Sequence, residues 1–475
     1  MKPINLHKSL NSSSIYIFAG LLFASILIAY GVSKFGLNAG ILSILFLSAI
    51  PVVLLLLSNF KLGFYFVFVL SFFINYIHRW TDTLVPLLIL EVILYVVVIG
   101  MLLKELSKPG STPSFWKYYK TPIAIGLIIW LFYNHLEFLN PNSTIIVGKV
   151  IAIRQSWYAL IGFTVALLVF DSIKSVKIFF KIMLSLSLLA AIFALSQKYF
   201  GLLPYEREWL YSSPLRVRLF VVWGQPRMWS FLNDPTVFGL LMASSGLVCF
   251  ILMTGPYKFF TRVMLGISGA LMFLAMISSG TRTAFVMVLA GFGIFGLINI
   301  KNIRTQIISF SALLILIIIY FGPFYSPQVI RFRTAFQGDK DPSMNVRLIN
   351  KERIRPYLFT HPIGGGPNTS GGTVEESDHP LGGFPPDSGY LKIALEMGYI
   401  GLCLILWLYF RASTQLTSQY FQTKDIERKV IYLAILASMI SLFTSELTQI
   451  AVSQKPLDFI IFSYFAIIVR LQDIK

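Results

Sequence analysis

Charged side chains are scarce. They make up 13% of 475 residues, about half the ~25% usual for soluble domains. A disordered chain would need more charge and fewer rings, whereas 15% of this chain is aromatic, so disorder is excluded. Acidic residues are the scarcer sign, 21 against 39 Lys and Arg, which leaves a net charge of +18. Cysteine is almost absent. Cys249 and Cys403 both sit in apolar runs, which excludes a disulfide framework and a thiolate metal site. No His-Glu-x-x-His or paired-cysteine pattern occurs, and the glycines at 364–366 are not followed by Lys-Ser/Thr on a helix. The sequence therefore offers no metal ligand set, no phosphate-binding P-loop and no expected cofactor.

What fills the chain is apolar residue, 56% of the total, gathered into about fourteen runs near the ~20 residues that cross a bilayer. The runs lie near 15–31, 39–58, 62–78, 84–103, 121–136, 150–170, 178–199, 236–254, 261–279, 282–299, 306–322, 389–410, 430–448 and 457–469. The expected fold is all-α and polytopic, with two outer loop segments. It divides into transmembrane helices over 1–199, an interfacial segment over 200–235, helices over 236–322, a long loop over 323–388 and C-terminal helices over 389–475. The polar start, Met1 to Asn11, and the absence of a small-residue cleavage site predict an uncleaved first span.

Orientation follows from where the positive charge falls. Of the 39 basic residues, 20 lie in one alternating set of loops, among them Lys61, Lys104, Lys117, Lys174, Lys258, Lys301, Arg411, Lys429 and Arg470. Seven remain in the opposite short loops and the spans, and the other twelve belong to the two long loops and their edges. This partition predicts cytoplasmic termini and external long loops. It assigns the excess charge to membrane orientation and an anionic substrate, with no role for nucleic acid.

The segment 200–235 is rich in rings and arginine, from Tyr205 and Trp209 to Arg227 and Trp229, a composition suited to a folded cap at the interface. Within 323–388 the spacing predicts a short amphipathic helix from Ser343 as N-cap to Arg355, stopped by Pro356. Arg347, Lys351 and Arg355 would then share one face. Glycines at 364–366, 371–372 and 382–383 follow, up to Pro385-Pro-Asp-Ser388 before the next span.

Several residues could carry chemistry. A phosphate or diphosphate at the interface needs fixed positive charge, and guanidinium pairs bidentately with its oxygens; Arg227, Arg282, Arg347, Arg353 and Arg355 are the candidates. Arg282 stands out, because Ser278-Ser-Gly-Thr-Arg-Thr283 reads as a tight turn opening a helix. A cation there opposes the helix macrodipole, a conflict that an anion on the free N–H groups would resolve. Asp387 could be a general base toward a sugar hydroxyl or an N-cap. His361 and His379 flank the glycine run as alternative bases or substrate contacts. Asp339 and Asp341 resemble a metal-binding aspartate pair, but they sit in a loop read as external. Glu91, Arg154, Glu396, Glu446 and Asp458 fall in spans or at their ends, where a transport path or a local pairing would use them.

Four pieces in order carry a resemblance: Arg227-Met-Trp-Ser-Phe-Leu-Asn-Asp-Pro-Thr-Val-Phe-Gly239 entering a span, Ser279-Gly-Thr-Arg-Thr-Ala284, His361-Pro-Ile-Gly-Gly-Gly-Pro367, and Asp387-Ser-Gly-Tyr-Leu391 followed by Glu396-Met-Gly-Tyr-Ile-Gly401. Over roughly 200–410 the chain resembles the O-antigen ligase and O-antigen polymerase family of bacterial envelope glycosyltransferases. The resemblance implies the helical fold of lipid-linked-sugar glycosyltransferases in the inner membrane. It implies transfer of glycan from undecaprenyl diphosphate to an acceptor hydroxyl on a glycan or lipid, at the outer face, without nucleotide sugar or catalytic metal. Carried over, Arg227 and Arg282 would hold the diphosphate, with Arg347, Lys351 and Arg355 as supporting contacts. Ligases of this family usually show His-Asn where this chain has Asp387-Ser388, which tilts the expectation toward a repeat-unit polymerase or another family member acting on exopolysaccharide. Membrane lipids, a polysaccharide flippase and a chain-length regulator are the partners to expect. A transporter or flippase of an anionic or lipid-linked substrate is the competing reading, and a non-catalytic scaffold the third.

Overall fold

A computed structural model describes residues 49–81, 85–107, 113–143, 145–222, 224–325, 342–371 and 379–473, with isolated positions at 25–26, 29–30, 33–34, 329–330 and 333. The span expected near 15–31, most of the one near 39–58, and Asp339 and Asp341 lie outside these residues.

Each remaining apolar run forms a helix. In chain order these are α1 (Ala49–Ser58), α2 (Phe60–Thr81), α3 (Val85–Leu106), α4 (Pro122–Leu136), α5 (Ile146–Val169) and α6 (Ile173–Phe200). The aromatic segment then folds into α7 (Pro204–Tyr211), α8 (Pro214–Phe220) and an antiparallel pair, β1 (Val221–Val222) with β2 (Gln225–Pro226). Next come α9 (Pro235–Met253), α10 (Phe259–Ser278), α11 (Arg282–Ile298), α12 (Ile303–Phe321), α13 (Pro342–Thr360), α14 (Gly389–Gln422), α15 (Ile426–Ser445) and α16 (Leu457–Arg470). Among the described residues, nine helices are long and apolar enough to cross a membrane.

Local signals set the boundaries that matter. Asp234 caps α9, its carboxylate accepting from Thr236 N at 2.7 Å and Val237 N at 3.0 Å, and Pro235 supplies a preset φ at the first turn. α9 is the central helix, 83% of its span being enclosed by protein against 11% for α12. Because its surroundings are protein, α9 carries small polar groups that bond sideways: Ser244 to Ser438 at 2.7 Å and Ser245 to Ser187 at 2.9 Å. Gly239, on the first turns of α9, lets the turn 279–281 sit against the helix, since a Cβ there would lie 2.5 Å from Ser279 Oγ.

The helix expected over 343–355 is longer than its sequence signals. α13 starts at Pro342 and passes through Pro356 to Thr360. Proline removes one N–H bond, but the turn around it is held by packing of Ile354, Tyr357 and Leu358 on Leu381, Phe384 and Leu395. His361 N also donates to Tyr357 O at 2.9 Å. Tertiary contact outweighs the local break.

Connections segregate to two ends of the bundle. At one end Lys61 pairs with Asp171, Lys177 with Glu427 at 2.7 Å, and Lys117 with Asp473 at 3.0 Å. At the other, segments around 79, 140, 230, 280, 365, 388 and 450 bond to one another, as described next. These two groups coincide with the two alternating loop sets of the charge partition.

Candidate functional site

α10 ends at Ser278, and the chain reverses through Ser279, Gly280 and Thr281 with Gly280 at φ 61°, so that Arg282 is the first residue of α11. Arg227 lies against this turn. Its Nε donates to Ser279 O at 2.9 Å, Nη2 to Thr281 Oγ1 at 3.1 Å and Nη1 to Leu219 O at 3.2 Å. Thr281 Oγ1 in turn donates to Pro235 O at 3.0 Å. Arginine has five N–H donors, so these three bonds fix the guanidinium and leave one N–H on each terminal nitrogen. Burial pulls the Arg227 guanidinium down to about 10, Asp234 opposes that shift, and the neighbouring charge of Arg282 adds to it. The group remains cationic near neutrality. Two half-buried arginines thus stand close together at a helix N-terminus, the positive end of its dipole.

The same turn reaches the other candidate. Thr283 bonds Thr448 through their hydroxyls at 2.7 Å, and Thr448 belongs to the turn after α15. In that turn Glu446 Oε1 accepts from Ala451 N at 2.6 Å and Val452 N at 2.7 Å. The turn also receives the start of α14: Gly389 N donates to Gln449 O at 3.1 Å and Ser388 Oγ to Glu446 O at 2.8 Å. Asp387 is half-buried at the residue before. It is not the cap of α14; that is Ser388, whose hydroxyl accepts from Leu391 N at 3.3 Å. The capping role therefore belongs to Ser388 and not to Asp387. Arg227, Arg282 and Asp387 share one end of the α9, α11, α14 and α15 cluster.

The remaining predicted residues are placed elsewhere. Lys351, Arg353 and Arg355 are exposed on α13, with the Arg355 guanidinium 5.9 Å from the Phe359 ring centre; the Arg347 side chain lies outside the described residues. His361 stacks on Tyr357 at 4.0 Å and bonds the Thr360 hydroxyl at 2.8 Å. His379 is buried, its Nδ1 accepting from Leu381 N at 3.1 Å, so Nε2 carries the proton and donates to Asn142 O at 3.1 Å. Both ring nitrogens of His379 are engaged in bracing the loop, and neither is placed to take a proton.

Two of the motif pieces interlock. α14 breaks at Gly398, which has φ 65° and ψ −169°, and the glycine run enters the break. Gly365 N donates to Leu395 O at 2.8 Å, Gly366 N to Glu396 O at 2.9 Å, and Tyr399 N to Pro362 O at 2.9 Å. Tyr133 Oη donates to Met397 O at 2.7 Å. The buried Glu396 carboxylate accepts from Asn368 N at 2.9 Å and from the Ser370 hydroxyl. The backbone groups freed by the kink are thus satisfied within protein, as an apolar surrounding requires.

Residues that sequence reasoning passed over include Arg79, whose guanidinium lies 5.1 and 5.7 Å from the Trp209 and Trp229 rings and donates to Asn233 O at 3.1 Å. It pins the stretch that carries Arg227 and Asp234 to the end of α2. A basic residue in the last turn of an apolar helix reads as an interfacial anchor, so no sequence signal marked it. The charged residues of the proposed transport path are paired instead: Arg154 with Glu91 at 3.4 Å, and Lys455 with Asp458.

Residues 267–406 match the family model of the O-antigen ligases. Over that stretch the chain is similar to the O-antigen ligases, and the apolar helices indicate an integral membrane protein. The matched region runs from within α10 to within α14, taking in Arg282, α13, the glycine run, Asp387 and the break at Gly398. Arg227 and the 446–452 turn lie outside it and complete the same end of the bundle. A search of curated proteins gives no match. Among the described residues, no three His, Cys, Asp or Glu side chains gather as a metal site.

Proposed function

We propose that the chain transfers glycan from undecaprenyl diphosphate to an acceptor sugar hydroxyl at the outer face of the inner membrane, as an O-antigen or exopolysaccharide polymerase or ligase. The observation that carries this reading is the pairing of Arg227 with Arg282 at the start of α11. Like charges held together repel, and a doubly negative group between them reverses the sign of that interaction. The acceptor oxygen attacks the anomeric carbon, the bond from that carbon to the diphosphate breaks, and its electron pair goes to the diphosphate oxygen. Charge growing on that oxygen is met by the two guanidinium groups. Asp387 accepts the hydroxyl proton, and attack opposite the leaving group inverts the anomeric centre.

An apolar groove of about 340 Å3 lies between α11 and α12, lined by residues such as Phe292, Gly293, Phe310, Leu313 and Leu316. It follows the helix that Arg282 opens and offers walls to the polyprenyl tail. Flippase and chain-length-control partners would belong to a polymerase.

The test is purified protein in vesicles with a lipid-linked oligosaccharide and acceptor, read by product mass. The expected result is a new glycosidic bond with release of undecaprenyl diphosphate, reduced ~10²–10⁴-fold by Asp387→Asn. Movement of lipid-linked glycan across the vesicle with unchanged length would establish the transporter reading instead.

A further inference from the structure

We propose that Glu446 is a positioning residue that holds the arginine turn and the Asp387-bearing helix start in register; the catalytic consequence rests on the transfer reading above. Glu446 is 5% exposed at the C-terminus of α15. One oxygen clasps the Ala451 and Val452 amides, which closes the turn 446–452 on itself. The other oxygen faces Gly389, where any Cβ would collide with it, so the glycine after Asp387-Ser388 permits the approach. From this clasped turn, Thr448 reaches Thr283 beside Arg282, and Gln449 O and Glu446 O receive Gly389 N and Ser388 Oγ. Removing the carboxylate frees one buried and one part-buried amide and loosens both connections at once.

The bonds to Ala451 and Val452 need an oxygen acceptor, which glutamine also supplies. Glu446→Gln should therefore retain most transfer, whereas Glu446→Ala should lower kcat ~10–100-fold, the scale of an ångström-sized misplacement. In an Asp387→Asn background, Glu446→Ala should cost less than in the parent protein, because the part of the geometry that aligns Asp387 is already idle while the part that holds the arginine turn still counts. A second readout does not depend on activity. With Cys403 replaced by Ser, a Thr283→Cys/Thr448→Cys pair should cross-link rapidly on mild oxidation, given hydroxyls 2.7 Å apart. Cross-linking should slow at least fivefold on Glu446→Ala and persist with Gln. Unchanged cross-linking in Glu446→Ala, or a kcat loss fully additive with Asp387→Asn, overturns the proposal. So does Glu446→Gln as damaging as alanine, which would mean that the charge itself acts. The expected cross-linking pattern in a protein that makes no glycosidic bond would leave the positioning role standing and remove the transfer reading.

Discussion

Arg282→Ala is expected to lower glycan transfer ~10²–10³-fold, about 3–4 kcal/mol of lost stabilisation for charge developing on the leaving diphosphate. Its stability should change less than its turnover, because removing a cation from the first turn of a helix relieves an opposition to the macrodipole of ~0.3–1 kcal/mol and so offsets part of what its own contacts contribute. Arg227→Ala should cost more stability. That guanidinium bonds Ser279 O, Thr281 Oγ1 and Leu219 O, so its loss leaves acceptors unmet and lowers both turnover and thermal stability. Initial rates with lipid-linked donor, paired with unfolding midpoints in detergent, separate the two. Near-normal turnover of Arg282→Ala would remove the diphosphate assignment, and equal destabilisation by both changes would make Arg282 a structural residue.

Gly398→Ala should produce the largest loss of stability in the α14 region. Its φ of 65° with ψ of −169° lies in a region open essentially to glycine alone. A Cβ would also collide with Pro362 O and Ile363 of the inserted loop. Strain of ~1–3 kcal/mol combines with expulsion of the loop, which exposes the carbonyls of Leu395 and Glu396. The expected outcome is a drop of several degrees in unfolding midpoint and faster proteolysis within 362–371. Gly293→Ala is the matched control: nothing lies within 4 Å of its added methyl, and alanine is the better helix former by ~1 kcal/mol, so stability should hold or rise. Equal behaviour of the two variants would mean that the interlock contributes nothing.

The helices were legible because each apolar run is long and ends at polar, proline or glycine punctuation. The arginine turn was legible too, since Ser-Ser-Gly-Thr before Arg282 is a local signal for a reversal followed by a helix start. What escaped depends on partners distant in sequence. The run over 389–410 is continuously apolar, and the break at Gly398 exists because residues 362–366 fill it. Pro356 read as a stop, yet the packing on Leu381 and Leu395 carries the helix past it. Asp387 and Ser388 are both good caps on propensity, and only the bond to Leu391 N distinguishes them. Glu446 looked like a charge at a span end; its role depends on Gly389, more than fifty positions earlier.

Chain order imposes a sequence of events on this end of the molecule. Synthesis delivers Arg227 and Arg282 first, then the glycine run, then Asp387 and the broken helix, and last the turn 446–452. Gly365 N and Gly366 N gain their acceptors, Leu395 O and Glu396 O, only when α14 is in place, and Ser388 Oγ and Gly389 N gain theirs only when the turn after α15 arrives. An emerging chain therefore carries Arg227, Arg282 and Asp387 before the turn 446–452 that links their segments has been made.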